Sequence, residues 1–453
     1  MSPSAAPDSD GLPTPRRHFA IGVLLLTLVL VVLDSAIANI ALPSIAASFH
    51  AHAGDTVWVV SSYQLAVLIA LLPCGALGEM LGPRRVYLWG VALFTLASAA
   101  CAFAPSLPVL IIARFVQGLG GGAVMALATM NLRFAVPHRL IGTIIGVNAM
   151  TIAIASAAGP GIAGAILAVA HWPWLFAVNV PLGILVLLCG GLLAHTKGIA
   201  RRFDIAALIA NILMFALFFS GAERLAKDPV TGGLLIAGSV VALISLLWLE
   251  RRNPTPLVPT DLFAAPAFRV AVIASVCCFT GQMLSYIALP FYLQYRLHMT
   301  PTQAGLYMMP WPAAVALIAP ISGRLANRIR TGWLCAAGAA LLATGLLIVG
   351  LPPANGPMFL VGTVIAGLGF GLFQTPNNRI LLLSAPKHRS GAAGAMQGTA
   401  RLTGQTFGAI SMTLVFGTVS LGGAPTLALL LAAGFAGIAA LISLARIRFE
   451  VVA

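Results

Sequence analysis

The chain has 453 residues, of which 60% are hydrophobic and only 8% carry a charge. Soluble domains do not have enough interior to bury so much apolar surface, so the composition excludes a chain of soluble domains. Lys and Arg number 25 against 11 Asp and Glu, a net charge of +14 that raises the question of a nucleic-acid partner.

The apolar residues are gathered into fourteen runs, each bounded by charged residues, Pro or Gly. The runs cover residues 19–47, 57–78, 86–103, 107–130, 141–168, 174–194, 205–221, 231–249, 270–292, 302–322, 333–350, 358–375, 391–419 and 425–445. A helix needs about 20 apolar residues to cross a bilayer core. The pattern therefore predicts an all-α polytopic membrane protein with 14 transmembrane helices.

The basic residues are divided unevenly between the loops on the two faces of this predicted bundle. One set of loops holds twenty of the 25, the other holds Arg224, Lys227 and Arg296, and Arg114 and Arg401 fall inside runs. Lys and Arg accumulate in cytoplasmic loops, so we expect both termini in the cytoplasm. The net charge then follows from topology, and no nucleic-acid partner is expected.

Short motifs that recur near one offset indicate an internal repeat. Residues 40–43 match 287–290, residues 118–122 match 367–371, and residues 137–142 match 386–391. Helices 1–6 are therefore expected to repeat as helices 9–14, with helices 7 and 8 as an inserted pair, which is a secondary-transporter architecture. The predicted organisation is a cytoplasmic tail at 1–18, a six-helix bundle at 19–195, the inserted pair at 196–252, a cytoplasmic loop at 253–268, a second six-helix bundle at 269–446 and a tail at 447–453.

Asp34 is the one acidic residue deep inside any run, about 22 Å along the first helix. A carboxylate at the bilayer centre costs ~2.5 to 3.5 kcal/mol, so such residues mark ion or proton paths. Arg114 in the fourth helix differs from Asp34 in depth by about 10 Å. If the two approach, burial and the cation act oppositely on the carboxyl group, which allows proton uptake and release. The alternatives are that Asp34 only holds Arg114 in place, or that Arg114 is a packing residue that extends outward.

Other polar side chains inside the runs are candidates for a substrate cavity, and about half of them could serve only as hydrogen-bond partners between helices. They are Asn39, Gln117, Gln282, Tyr286, Gln374, Gln397, Arg401 and Gln405.

The sequence shows no pattern of residues that is typical of a metal site or of an enzyme active site. The six cysteines lie inside apolar runs without metal-ligand spacing, and the eight histidines lie between runs. No catalytic residue, metal site or cofactor is predicted.

Five motifs resemble those of the fourteen-helix drug:proton antiporters of the major facilitator superfamily. Residues 33–43 (LDSAIANIALP) resemble the first-helix motif, residues 114–118 (RFVQG) the fourth-helix motif, and residues 172–181 (WPWLFAVNVP) the start of the sixth helix. Residues 75–85 (GALGEMLGPRR) resemble the gating motif between helices 2 and 3, with Gly75, Gly78, Glu79, Gly82, Arg84 and Arg85 at its positions. Residues 159–164 (GPGIAG) resemble the fifth-helix antiporter motif, with Gly159, Pro160 and Gly164, and predict a kinked, tightly packed seam.

The chain departs from this pattern at several positions. Glu79 replaces the usual Asp, Met80 and Pro83 replace common basic residues, and Pro173 stands where Arg is frequent. The second half also lacks the extra intramembrane acids of members that export multivalent cations.

The resemblance implies proton-coupled efflux of lipophilic drugs or toxic compounds by alternating access, driven by the proton gradient without a cofactor. With Asp34 beside two arginines, we expect monocationic, neutral or weakly acidic substrates. A periplasmic adaptor and an outer-membrane channel stay open as partners beside protons and the lipid bilayer. The alternatives are a proton-linked exporter of one metabolite or siderophore and a non-transporting membrane receptor.

Overall fold

The computed structural model describes residues 11–137, 140–195, 205–224, 228–251, 260–326, 328–351, 356–383, 390–420 and 422–447. Within these ranges every regular element is helical. Parts of the predicted tails and cytoplasmic loop lie outside the described residues, namely 1–10, 252–259 and 448–453. So do residues 138–139 and 384–389, which carry most of one repeated motif.

The helices follow the predicted runs closely and are numbered here in chain order. In the first part of the chain they are α1 Arg16–Phe49, α2 Ala53–Leu81, α3 Pro83–Ala102, α4 Leu107–Ala135, α5 Ile141–Val169, α6 Trp174–Leu192, α7 Ile205–Arg224 and α8 Pro229–Arg251. In the remainder they are α9 Pro266–Arg296, α10 Pro301–Leu325, α11 Thr331–Gly350, α12 Gly356–Leu383, α13 Ser390–Thr418 and α14 Ala424–Arg446.

Twelve helices in the described part of the chain are long and apolar enough to cross a membrane. The predicted number of fourteen spans is not supported on that measure. Helix α13 has 29 residues but falls short in apolar content, because it is rich in Gly, Thr and Gln. Helix α5 also has 29 residues, and the apolar stretch counted in it is Ala158–Val169.

Large apolar side chains point outward from the middle of several helices. Leu96, Ile112, Leu317 and Leu441 are 65–71% exposed in α3, α4, α10 and α14. A soluble protein does not present such a surface on all sides, whereas a bilayer solvates it. The chain is therefore a multi-pass membrane protein.

The helix packing of the first part of the chain recurs in the last part. A Cβ atom on Gly120 of α4 would lie 2.6 Å from the carbonyl oxygen of Gly90 in α3. Likewise, a Cβ atom on Gly369 of α12 would lie 2.6 Å from the carbonyl oxygen of Gly338 in α11. The contacts of α1 with α5 and α6 also have counterparts in those of α9 with α13 and α14. Helices α1–α6 and α9–α14 are called the first and second halves below.

Helix α7 contacts both halves through neighbouring aromatic residues. The ring of Phe219 lies 5.8 Å from that of Trp58 in α2, and the ring of Phe218 lies 4.8 Å from that of Phe407 in α13. One turn of α7 is therefore packed against the seam between the halves.

The start of α1 is tied to the end of α6. Arg16 donates hydrogen bonds to the carbonyl oxygens of Leu192 (3.0 Å) and Gly191 (2.9 Å). The start of α1 and the end of α6 therefore lie at the same end of the bundle, which is called the N-terminal end below.

At the opposite end the two halves are in close contact. The Thr302 hydroxyl of α10 donates to the carbonyl oxygen of Gly164 in α5 across 3.1 Å. One hydrophobic cluster joins Ile45 of α1 with Phe291 of α9 and Phe416 of α13. The halves are therefore closed against each other at the end away from the N-terminus.

Candidate functional site

Asp34 of α1 and Arg114 of α4 form an ion pair in the interior of the first half. Arg114 Nη1 lies 2.6 Å from Asp34 Oδ2, and each side chain is only 1% exposed. The approach of the two residues, which the sequence left open, is thus observed in the structure.

The second oxygen of the Asp34 carboxylate accepts two more hydrogen bonds. Gln117 Nε2 donates to Oδ1 at 2.9 Å, and Asn179 Nδ2 of α6 donates to the same oxygen at 2.7 Å. The carboxylate is thus held by α4 and α6 together. These hydrogen bonds and the contact with Arg114 give both oxygens of the buried carboxylate a partner.

Arg114 is surrounded by acceptors and aromatic rings. Its Nη1 also donates to Gln117 Oε1 at 2.6 Å, and its Nε donates to the carbonyl oxygen of Val59 at 3.0 Å. The guanidinium carbon lies 4.2 Å from the ring centroid of Tyr63 and 5.4 Å from that of Phe176. Cation–π contacts of this kind stabilise a desolvated guanidinium by up to about 2 kcal/mol.

Gln117 links the ion pair to α3. Besides its bonds to Asp34 and Arg114, its Nε2 donates to Ser98 Oγ at 2.8 Å. The Ser98 hydroxyl in turn donates to the carbonyl oxygen of Phe94 at 2.7 Å. Two buried charges are destabilising unless their remaining donors and acceptors are satisfied, and this network satisfies them.

Sequence reasoning identified part of this network and missed the rest. Gln117 was placed among the cavity residues, but it is fully buried beside the ion pair. Its position three residues after Arg114 puts both on one helix face, a signal that was available. Asn179, Ser98 and Tyr63 were not identified, although Asn179 is the polar residue within the motif at 172–181.

The other cavity candidates make no hydrogen bond to the ion-pair network in the described part of the chain. Asn39 is buried, and its Nδ2 donates to the Ser35 carbonyl oxygen of the same helix at 2.9 Å. Its Oδ1 and the Oε1 of Gln282 are buried without a hydrogen-bond partner among the described residues. Tyr286 packs edge-on against Trp311 at 5.6 Å, and Gln374 is half-buried in α12.

Three of the cavity candidates form a polar stripe along α13. Gln397, Arg401 and Gln405 are spaced by four residues, so they share one face of the helix, and all three are half-buried. Arg401 has no ion-pair partner in the described part of the chain, and its Nε is buried without a hydrogen-bond acceptor there.

The predicted gating motif surrounds the turn from α2 to α3. Gly82 has φ +96°, a conformation that favours glycine, and it allows α3 to begin directly after α2. Gly78 packs onto Leu127 of α4, Gly75 has open space beside it, and Arg84 is half-buried. Glu79 is exposed, and the Arg85 guanidinium lies 5.9 Å from the ring centroid of Trp89.

The glycines of the fifth-helix motif lie where α5 meets α1 and α10. A Cβ atom on Gly159 would lie 2.6 Å from Ala36 Cβ, and one on Gly164 would lie 3.0 Å from the Thr302 carbonyl oxygen. Pro160 is within α5, and Gly305 of α10 packs against its carbonyl oxygen. The predicted tight seam is thus seen on two sides of α5.

Residues 24–409 match the Major Facilitator Superfamily, so the chain belongs to this family of membrane transporters. The match covers most of both halves and includes the Asp34–Arg114 network. The chain is therefore a transporter and not an enzyme.

Several named transporters are similar to the chain. "Uncharacterized transporter YebQ" of Escherichia coli is 41% identical over 90% of this chain and 91% of that protein. "Multidrug resistance protein Stp" of Mycobacterium tuberculosis is 33% identical over 84% of this chain and 73% of that protein. "Riboflavin transporter RibZ" of Clostridioides difficile is 32% identical over 84% of this chain and 83% of that protein.

The fold is also that of solved transporters. The partially occluded inward-open structure of the xylose transporter XylE from E. coli superposes with a TM-score of 0.66. The match covers 94% of this chain and 97% of that chain at 15% identity, so it supports a shared fold alone.

Proposed function

We propose that the protein exports lipophilic small molecules in exchange for protons, with Asp34 as the group that binds and releases the proton. The observation that carries this proposal is the fully buried network in which Asp34 contacts Arg114, Gln117 and Asn179. Similarity to a multidrug resistance protein supports the export of drug-like compounds.

The geometry suggests how proton binding is coupled to movement. The ionised Asp34 carboxylate accepts three hydrogen bonds and balances the charge of Arg114. A proton on Asp34 removes that balance and leaves a buried cation uncompensated, which is strongly unfavourable. Arg114 must then find new partners or water, and this displaces α4 relative to α1 and α6.

The closed contact between the halves supports alternating access. The halves meet at the end away from the N-terminus, through Thr302 and Gly164. With both termini in the cytoplasm, as the distribution of basic residues predicts, this state takes up substrate from the cytoplasm. Protonation of Asp34 from outside then accompanies release of the substrate.

The same proposal includes a complete membrane arrangement. α5 and α13, each with 29 residues, are long enough to cross the bilayer and pack against helices that qualify as spans. We assign them as the fifth and thirteenth of fourteen crossings in a bacterial inner membrane. The two six-helix halves then rock against each other, with the motif at 75–85 as the cytoplasmic gate.

Transport by the purified protein in liposomes tests the proposal. A pH gradient is imposed, and uptake of a monocationic, a neutral and a weakly acidic fluorescent dye is compared for wild type and Asp34→Asn. We expect the variant to fold but to lose accumulation driven by the gradient. Asp228→Asn, at an exposed acid before α8, is the control and should accumulate dye normally. Undiminished accumulation by Asp34→Asn would remove this residue from the coupling.

A narrower substrate range is the second candidate function. The 32% identity to a riboflavin transporter favours an exporter of one metabolite as the alternative to a multidrug pump. The dye panel separates the two, because a metabolite exporter should move none of the dyes. A periplasmic adaptor and an outer-membrane channel are to be sought as partners by co-purification.

A further inference from the structure

Arg401 is a cation inside the bundle that has no ion-pair partner among the residues that the structure describes. It lies roughly 16 Å from the start of α13, farther than an arginine side chain reaches, so it cannot extend to the end of the helix. Its Nε is buried without an acceptor among the described residues. Asp34, the acidic residue deep within the helices, is already occupied by Arg114, Gln117 and Asn179.

The packing of α13 shows where Arg401 points. Gly404 and Gly408 face α9, where added Cβ atoms would lie 2.5 and 2.6 Å from the carbonyl oxygens of Val276 and Thr280. Gly398 faces α2, where a Cβ atom would lie 3.7 Å from Leu71 Cδ2. At 100° per residue, Arg401 and Gln405 fall between these two directions.

This direction leads to the seam between the halves. α2 belongs to the first half and α9 to the second, so Arg401 and Gln405 face the region between them. Both side chains are half-buried, which leaves them room for contact with a ligand. Gln405 is one helical turn from Arg401 and adds an amide donor to the guanidinium.

We propose that Arg401 binds the carboxylate of the transported compound, so that the substrates are amphipathic organic acids. This inference rests on the proposed export function and names its substrate class. An unpaired cation in a poorly hydrated site is stabilised by a ligand anion, and a guanidinium binds a carboxylate through two parallel hydrogen bonds. The Gln405 amide supplies a further donor to the same group.

Equilibrium binding to the purified full-length protein tests the proposal without any transport step. The probes are aromatic acetates of increasing ring size, each paired with its uncharged methyl ester, at a pH where the acid is ionised. We expect wild type to bind at least one acetate about tenfold or more tightly than its ester, the usual effect of a charge-assisted contact. Arg401→Met should abolish this preference while ester binding persists.

Two further variants separate charge recognition from structural damage. Gln405→Glu places an internal carboxylate one turn from the intact Arg401, so it should also abolish the preference for acetate. Arg324→Met, at an exposed arginine on α10, should leave the preference unchanged. If wild type binds every acetate no better than its ester, or if Gln405→Glu retains the full preference, the proposal is wrong.

The outcome is distinguishable from failure of the proton-coupling proposal. A preference for acetate that depends on Arg401, combined with normal gradient-driven transport by Asp34→Asn, would overturn proton exchange at Asp34 and leave the anion site intact. Loss of transport by Asp34→Asn without any preference for acetate would overturn the anion site at Arg401 and leave proton exchange at Asp34 intact.

Discussion

The guanidinium of Arg114 and the carboxylate of Asp34 are in contact at 2.6 Å across two helices, with both side chains 1% exposed. Their charges compensate each other in a region that water does not reach. The stability of this part of the protein and its proposed proton exchange therefore depend on the same pair of atoms.

The losses of stability caused by removing the two charges of the pair should not add up. Arg114→Met leaves a buried carboxylate without its cation, which we expect to lower the free energy of unfolding by about 3–5 kcal/mol. The double variant with Asp34→Leu should lose less than the two single variants lose in sum. Unfolding of the purified variants in detergent measures both. Additive losses would show that the two charges do not stabilise each other.

Asn179 should affect proton coupling in addition to stability. Asn179→Leu removes one of the two donors to Asp34 Oδ1, and the lost hydrogen bond to a charged group should lower the free energy of unfolding by about 1.5–3 kcal/mol. Asn211 is a matched control, because it is also buried and donates to the carbonyl oxygen of Ile69, in α2, at 3.2 Å. Both leucine variants should be less stable, but only Asn179→Leu should change the pH profile of transport. Identical changes in both profiles would assign Asn179 a structural role alone.

The seam between α5 and α10 should open during transport. A Cβ atom on Gly164 would lie 3.1 Å from Thr302 Cα, close enough for a disulfide between cysteines at the two positions. The six native cysteines are free thiols and are replaced first. Oxidation of the Gly164→Cys, Thr302→Cys variant should stop transport, and reduction should restore it, while each single-cysteine variant is unaffected by oxidation. Normal transport by the cross-linked protein would show that the halves do not separate at this end.

Glycines at the close contacts of α3 with α4 and of α11 with α12 should not tolerate a larger side chain. Gly120→Val places a side chain against the backbone of Gly90 and Phe94, so we expect a loss of about 1–3 kcal/mol or more in unfolding experiments. Gly369→Val in the second half should behave alike, because it lies against Gly338 and Leu342. Gly434→Val is the matched control, since no atom from a neighbouring helix lies within 4 Å of its added Cβ. Equal tolerance of all three substitutions would contradict this packing.

Rarity explains why the sequence revealed the charged pair. Asp34 is a single acid in an apolar run, and its need for a partner pointed to Arg114. Asn179 and Ser98 gave no comparable signal, because uncharged polar residues are common in membrane helices and most bond within their own helix. The role of Gln117 could have been inferred from its spacing, because residues three apart on α4 lie on one face of the helix.

The helix positions were predicted better than their membrane roles. The apolar runs located the helices because runs of this length have few other uses. The number of spans was less certain at α13, whose Gly, Thr and Gln residues serve close packing and the polar stripe at the expense of hydropathy.

Two adjacent residues of α7, Phe218 and Phe219, bind opposite halves of the protein. If the halves tilt against each other as proposed, these rings cannot both keep their present neighbours. Either one aromatic contact is then exchanged for another, or α7 travels with one half and slides along the other. In both cases one of the two aromatic contacts has to break before the proposed transporter opens to its other side.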